Sequence, residues 1–331
     1  MRPIQSLFVL ALLLGLTCTA CGQTPLREII DPAEAAKDPD FKVQGEYVGN
    51  GTLGGKKTKV GGQVIALSGG RFDVRLTPGG LPGDGWKRGD QVISLVGQRE
   101  GNTTALSSAD EAFSGKIADG VMTVAARSGK TPLVLKRIER RSPTEGATRP
   151  SKSVVLFDGT TADKFPGATM SPDKNLMSNA VSGQKFGDYR LHLEFRLSYM
   201  PEARGQARSN SGVYLHDCYE IQVLDSFGLD GKNNECGGFY QIREPDVNMC
   251  YPPLQWQTYD VDFTAPRYKD GKKISDARVM VRQNGVVIHP EMQLPHATPG
   301  RASEGPAPRP IYLQGHGNKI EYRNIWVVEK K

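Results

Sequence analysis

From Tyr189 to Leu197 the chain alternates without a break. Leu191, Leu193, Phe195 and Leu197 fall on one side, and Arg190, His192, Glu194 and Arg196 on the other. Period two predicts a strand with one face on a core and one toward solvent. The same pattern recurs at 212–216, 219–224, 256–263, 277–283, 310–316 and 320–328. If Val213 and Leu215 point inward, Tyr214 and His216 point outward. Ile221 and Val223 inward leave Glu220 and Gln222 outward, about 7 Å apart. Ile311 and Leu313 inward leave Tyr312, Gln314 and His316 outward. Asn284-Gly285 after the 277–283 run predicts a two-residue hairpin, because both positions must take φ above zero. Upstream, 64–67, 72–76, 120–124 and 133–138 also read as short strands, separated by glycine clusters. Helical periodicity is almost missing. Many short strands with turns between them predict an all-β chain built from sandwiches or barrels.

The turn residues mark the boundaries. Residues 140–152 hold almost no apolar side chain and two prolines, which predicts a linker. It separates a small all-β domain at 41–139 from a larger one at 153–331. Residues 22–40 are polar and proline-containing, with 33–37 a short helical turn, and read as a tether. Residues 1–21 read as an export signal. Arg2 is followed by an apolar run of about ten residues, too short for the roughly 20 a spanning helix needs. The run ends at Cys18-Thr19-Ala20-Cys21, similar to a bacterial lipobox with Cys21 as the lipidated residue. Gly22 after it is similar to outer-membrane sorting signals. The expectation is an exported chain, lipid-anchored on the periplasmic side of the outer membrane or at the cell surface.

Composition adds exclusions. The net charge of +6 is spread along the chain, with no finger or helix-turn-helix spacing, so nucleic acid is not expected as a partner. The 79–86 stretch is glycine-rich but lacks the lysine and following helix of a phosphate loop. No Cys-x-x-Cys or His-x-x-x-His spacing occurs, so no metal or other cofactor is expected. A lesser option is calcium on Asp225, Asp230 and Glu235, in a stretch rich in glycine and asparagine. Cys218, Cys236 and Cys250 follow the signal. Cys236 and Cys250 bracket an irregular loop, and a disulfide there would contribute about 3 kcal/mol.

The outward residues of the second domain are not the Lys and Glu that merely keep a strand wet. Placed side by side, they would make a floor of Tyr, His, Glu and Gln. Asn210 adds a hydrogen-bonding group at a strand entrance, and Trp256 could serve as a core residue or a stacking platform. Aromatic faces stack on sugar rings, and carboxylates and amides bond hydroxyls. The expected catalytic residues are Glu220, His316 and Glu194. The expected substrate contacts are Asn210, Tyr214, His216, Gln222, Asp225, Trp256 and Gln314.

Several ordered segments resemble the 3-keto-disaccharide hydrolase domain family. They are Leu156-Phe157-Asp158-Gly159, the 189–195 strand, Asn210-Ser211-Gly212-Val213-Tyr214-Leu215, and Tyr219-Glu220-Ile221-Gln222-Val223-Leu224-Asp225. Trp256-Gln257-Thr258-Tyr259-Asp260, 263–267, Asn284-Gly285-Val286, Leu313-Gln314-Gly315-His316-Gly317-Asn318 and Arg323-Asn324-Ile325-Trp326 continue the series. Gly315 stands where the family pattern often has Asp. The resemblance implies a concanavalin A-like jelly roll preceded by a small β-domain. It also implies an exported hydrolase of 3-keto-glycosides, working beside a sugar oxidoreductase. Glu220-x-Gln222-x-x-Asp225 is distantly similar to the Glu-x-Asp-x-x-Glu strand of laminarinase-type enzymes. Its middle amide argues against a retaining mechanism, which needs two carboxyls about 5 Å apart. The alternative is a carbohydrate-binding or surface-interaction module with no catalysis, since the fold hosts both.

Overall fold

The computed structural model describes residues 26–53, 56–127 and 131–330. The signal sequence and Cys21 lie outside the described residues. Among the described residues no helix is long and apolar enough to cross a membrane.

The first domain is a closed barrel of eight antiparallel strands that run up and down in chain order, interrupted only by a small two-strand insertion. It opens with Gly45–Leu53 and closes when Leu133–Ile138 pairs back onto that strand, Glu46 opposite Ile138. Closure leaves no sheet edge exposed. Inward residues including Tyr47, Val64, Phe72, Leu95, Met122 and Leu135 fill the interior. The first two strands are rich in glycine and lysine, so alternation does not reveal them. Glycine has a packing reason there: a Cβ on Gly49 would lie 2.0 Å from the Val134 carbonyl oxygen.

The second domain is a two-sheet sandwich. Its long sheet runs in the order Val154–Phe157, Glu321–Glu329, Tyr189–Arg196, Trp256–Thr264, Ala277–Gln283, Val286–Leu294. The short sheet runs Ala180–Val181, Tyr312–Leu313, Asn210–Leu215, Tyr219–Leu224. Leu191, Leu193, Phe195, Tyr259, Val261 and Phe263 of the long sheet pack on Val213, Leu215, Ile221, Val223 and Leu313 of the short one. Asn284 and Gly285 form the hairpin turn with φ of 51° and 79°.

The segment read as a tether is docked. Asp31 and Asp38 cap two short helices, Pro32–Ala35 and Pro39–Val43, each with a proline in its first turn. Ile29 pairs with Tyr199 of the sandwich, and Asp40 binds Arg99 of the barrel. The segment read as a linker is also packed. Ser142 and Thr144 bond Thr258, Thr144 bonds Asp260, and the Gly146 amide donates to Glu194. Arginines then fasten the two domains. Arg140, paired with Glu46 of the barrel, lies 5.1 Å from the Tyr251 ring centre of the sandwich, Arg75 is paired with Asp230, and Arg88 donates to the Gly231 and Pro245 carbonyls.

Candidate active site

The outer face of the short sheet carries the floor. Tyr214 stands opposite Glu220 on one side and Tyr312 on the other, and Gly212 stands opposite Gln222. Strand alternation puts Glu220 and Gln222 on the same face as Tyr214, away from the core. Gly212 makes the floor possible, because a Cβ there would meet Glu220 Oε1 at 2.2 Å. The carboxyl therefore lies over the glycine.

Glu220 is 3% exposed and has no cationic partner. Its backbone N–H donates to Thr298 Oγ1 at 2.9 Å. The Gln222 amide nitrogen, oriented by its surroundings, donates to Glu220 Oε1 at 3.1 Å and to the Ser211 carbonyl at 3.0 Å. Burial pushes the Glu220 carboxyl up to about 7, against the opposing pull of the Tyr214 hydroxyl. Both protonation states are then populated at neutral pH, which suits a general base or acid. Burial and the neighbouring Glu220 raise Tyr214, so its hydroxyl stays protonated. That hydroxyl is 3.2 Å from the Pro299 carbonyl oxygen and 3.5 Å from Gln314 Nε2.

Two acceptors in this region, Asn210 Oδ1 and Gln314 Oε1, are buried without a partner. Unsatisfied buried acceptors are costly unless something else binds them. Asn210 Nδ2 donates to the Gln206 backbone carbonyl at 2.9 Å and to the Gln206 side-chain oxygen at 3.2 Å. Gln206 sits on the exposed three-residue helix Gly205–Ala207. Gln206 and Thr298 were not anticipated as site residues, and Tyr312 was read as outward without a substrate role. Gln206 and Thr298 lie in irregular segments where no period marks a face.

Glu194 does not join this floor. Its strand belongs to the long sheet, so its polar face looks out of the opposite side of the sandwich. There Glu194 and His192 are fully buried beneath the 142–147 segment. Burial alone would raise Glu194. The donors His192, Asn324, Arg323 and the Gly146 amide outweigh it and hold the carboxyl down at about 2. Arg323 Nε donates at 2.7 Å and Asn324 Nδ2 at 2.9 Å. A carboxylate this well bonded is a poor proton carrier near neutrality. Trp256 lies on the same outer face with Arg323 3.9 Å and Arg196 5.0 Å from its ring centre, so it is a cation partner and not a free sugar platform.

Three other expected contacts also leave the floor. His216 follows the end of its strand with φ of 53°, which reverses its direction. Its ring lies 5.7 Å from Phe263 of the core, and burial pushes it down to about 4, so it is neutral. Asp225 is tied to Arg208 in a buried ion pair at 2.7 Å. His316 sits in an exposed turn, because its strand stops at Leu313.

The calcium option has no cage. Asp225 is paired with Arg208, Asp230 with Arg75, and Glu235 accepts the Gly231 and Lys232 amides. No acidic, His or Cys cluster suited to a metal occurs among the described residues. The expected Cys236–Cys250 disulfide is not formed. Both are buried free thiols, as is Cys218. Cys236 Sγ accepts from Gln283 Nε2 at 3.2 Å, and Cys250 Sγ donates to the Leu224 carbonyl at 3.4 Å. Backbone bonds from 237–240 to strand Tyr219–Leu224 hold the loop instead.

Comparison with known proteins agrees with this architecture. The family described as the 3-keto-alpha-glucoside-1,2-lyase-like domain matches residues 151–328. Two crystal structures from Parabacteroides distasonis ATCC 8503, each described as a "putative glycosyl hydrolase", are similar to the chain. The structure at 2.13 Å is 29% identical over 55% of this chain and 86% of its own, with a TM-score of 0.50. The structure at 1.70 Å is 17% identical over 54% of this chain and 94% of its own, with a TM-score of 0.41. No curated protein matches the chain.

Proposed function

The chain belongs to the 3-keto-alpha-glucoside-1,2-lyase-like domain family, and from that premise we propose that its sandwich cleaves the glycosidic bond of 3-keto-glycosides with Glu220 as the proton carrier. The observation that carries this reading is a single buried carboxyl, without a cation, poised at about 7 beside buried acceptors that lack partners.

A ketone at C3 acidifies the proton on C2. The Glu220 carboxylate takes that proton, and the C2–H electrons move into an enolate whose charge rests on O3. Tyr214, kept protonated by burial and by Glu220, is the donor for that oxygen in this reading, while the Gln222 amide holds the Glu220 carboxyl in place. Re-forming the ketone drives the electrons toward C1, the C1–O bond breaks, and the aglycone leaves as an alkoxide that takes up a proton. The product is an enone. Water adding at C1, with a proton returned to C2, completes a net hydrolysis. Asn210 and Gln314 supply hydrogen bonds to the ring hydroxyls. His316, on the exposed turn, stays outside the chemistry. A sugar oxidoreductase must supply the ketone.

Recombinant protein incubated with 3-keto-trehalose should consume the keto-sugar, and Glu220→Gln should lower kcat by at least about a hundredfold. Full activity in that variant sinks the assignment. Tight binding with no turnover on any keto-sugar would favour a binding module instead. We also place this activity outside the cytoplasm on a lipid at Cys21. Cys21→Ser should move the protein from the membrane fraction to the soluble fraction, and an unchanged distribution refutes the anchor.

A further inference from the structure

A cleft of about 680 Å³ separates the barrel from the sandwich. Its size falls in the range of about 300–1,000 Å³ typical of small-molecule sites, and domain boundaries are common places for them. The reaction at Glu220 makes no use of it. The helix Gly205–Ala207 is the wall between the two places. Arg204 and Gly205 line the cleft, while the Gln206 carbonyl accepts from Asn210 Nδ2 on the catalytic floor. The route from a sugar bound over Glu220 to the cleft therefore runs past this exposed turn.

We propose that the cleft holds the aglycone of the glycoside, and that it selects an apolar aglycone carrying a hydrogen-bond acceptor. This rests on the reading of Glu220 given above. The walls are largely apolar, with Leu67 and Val74 from the barrel and the aromatic Phe227 from the sandwich. Val96 and Leu229 line it too, and they remain 59% and 40% exposed. Several of the polar lining groups are already occupied. Asp230 binds Arg75 at 2.8 Å, Asp225 binds Arg208 at 2.7 Å, and Arg204 donates to the Pro201, Ala203 and Leu67 carbonyls. One donor is left over. Arg208 is 4% exposed and lines the cleft, and its Nη2 has no partner. A buried guanidinium nitrogen without a bond is costly, and an acceptor on the ligand would relieve it. Asp73 and Asp90 are exposed lining residues and disfavour an anion.

The probe is 4-methylumbelliferone, an apolar neutral fluorophore with a carbonyl acceptor, titrated at pH 6. Leu229→Asp should weaken its binding about tenfold. Arg208→Lys, which keeps a charge for Asp225 but removes the spare nitrogen, should weaken it as well. In kinetics, Leu229→Asp should raise KM for the 3-keto form of the methylumbelliferyl glucoside by the same factor. It should raise KM for 3-keto-trehalose, whose aglycone is a polar sugar, by a smaller factor. Glu220→Gln should abolish turnover and leave dye binding intact. Unchanged dye binding in both Leu229→Asp and Val96→Asp overturns the cleft assignment. An active Glu220→Gln protein overturns the catalytic reading while the dye titration still reports on the cleft.

Discussion

Replacing Gly212 by alanine separates the fold of the sandwich from the placement of its carboxyl. The new Cβ would lie 2.2 Å from Glu220 Oε1 and 2.9 Å from both Cδ and Cγ. Comfortable carbon contacts are about 3.5–4.0 Å, so the carboxyl must move by more than about 1 Å. Gly212 is not in the left-handed region, so alanine suits its backbone. Overpacking costs about 1–3 kcal/mol. The stiffer unfolded chain returns about 0.4–1 kcal/mol. The net loss is about 1–2 kcal/mol, a fall in Tm of a few degrees for a domain of this size. The rate should respond much more, because a misplacement of about 1 Å can cost a hundredfold in kcat. Thermal unfolding by circular dichroism and keto-sugar turnover measure the two effects separately. A folded Gly212→Ala protein with kcat within twofold of wild type would refute the claim that Glu220 works from its place over Gly212.

Four further outcomes follow from the structure. The Glu220 carboxyl is raised from 4.5 to about 7, so kcat/KM should rise with pH to half its plateau near pH 7. The same shift stabilises the fold below about pH 4.5 and is lost as pH rises through 7, so Glu220→Gln should raise Tm more at pH 8 than at pH 5; equal shifts at both would count against it. Glu194 is shifted the other way, from 4.5 down to about 2, so its contribution is full above pH 4.5 and disappears as pH falls toward 2. Glu194→Ala should cost about 2–4 kcal/mol in urea unfolding at neutral pH by removing the acceptor shared by the Gly146 amide, Arg323 and Asn324, with kcat unchanged; a loss of kcat at wild-type stability would return Glu194 to the site. Titration with Ellman's reagent after unfolding without reductant should find Cys218, Cys236 and Cys250 all reactive, whereas a single thiol would restore the disulfide.

The polar floor was legible where it depended on one strand at a time. Alternation is local, and Ile221 and Val223 in the core put Glu220 and Gln222 outside whatever lies beside them. The same holds for Tyr214 against Val213 and Leu215, and for Asn284-Gly285, whose turn needs nothing beyond its own backbone. His216 marks the limit, since one residue past the strand a left-handed φ turned it inward. Neighbourhood is a different matter. Strand Tyr189–Arg196 hydrogen-bonds to Trp256–Thr264 and Glu321–Glu329, segments far along the chain, and nothing in its own alternation names those partners. Its polar face was read correctly as outward, yet it belongs to the opposite sheet from Glu220. Nor does outward mean wet, because the 142–147 segment lies across Glu194 and gives it the donors that keep it ionised. Period two decides which way a side chain points from its own strand. Only the hydrogen-bond ladders between distant segments, and the loops that then cover them, decide what it meets.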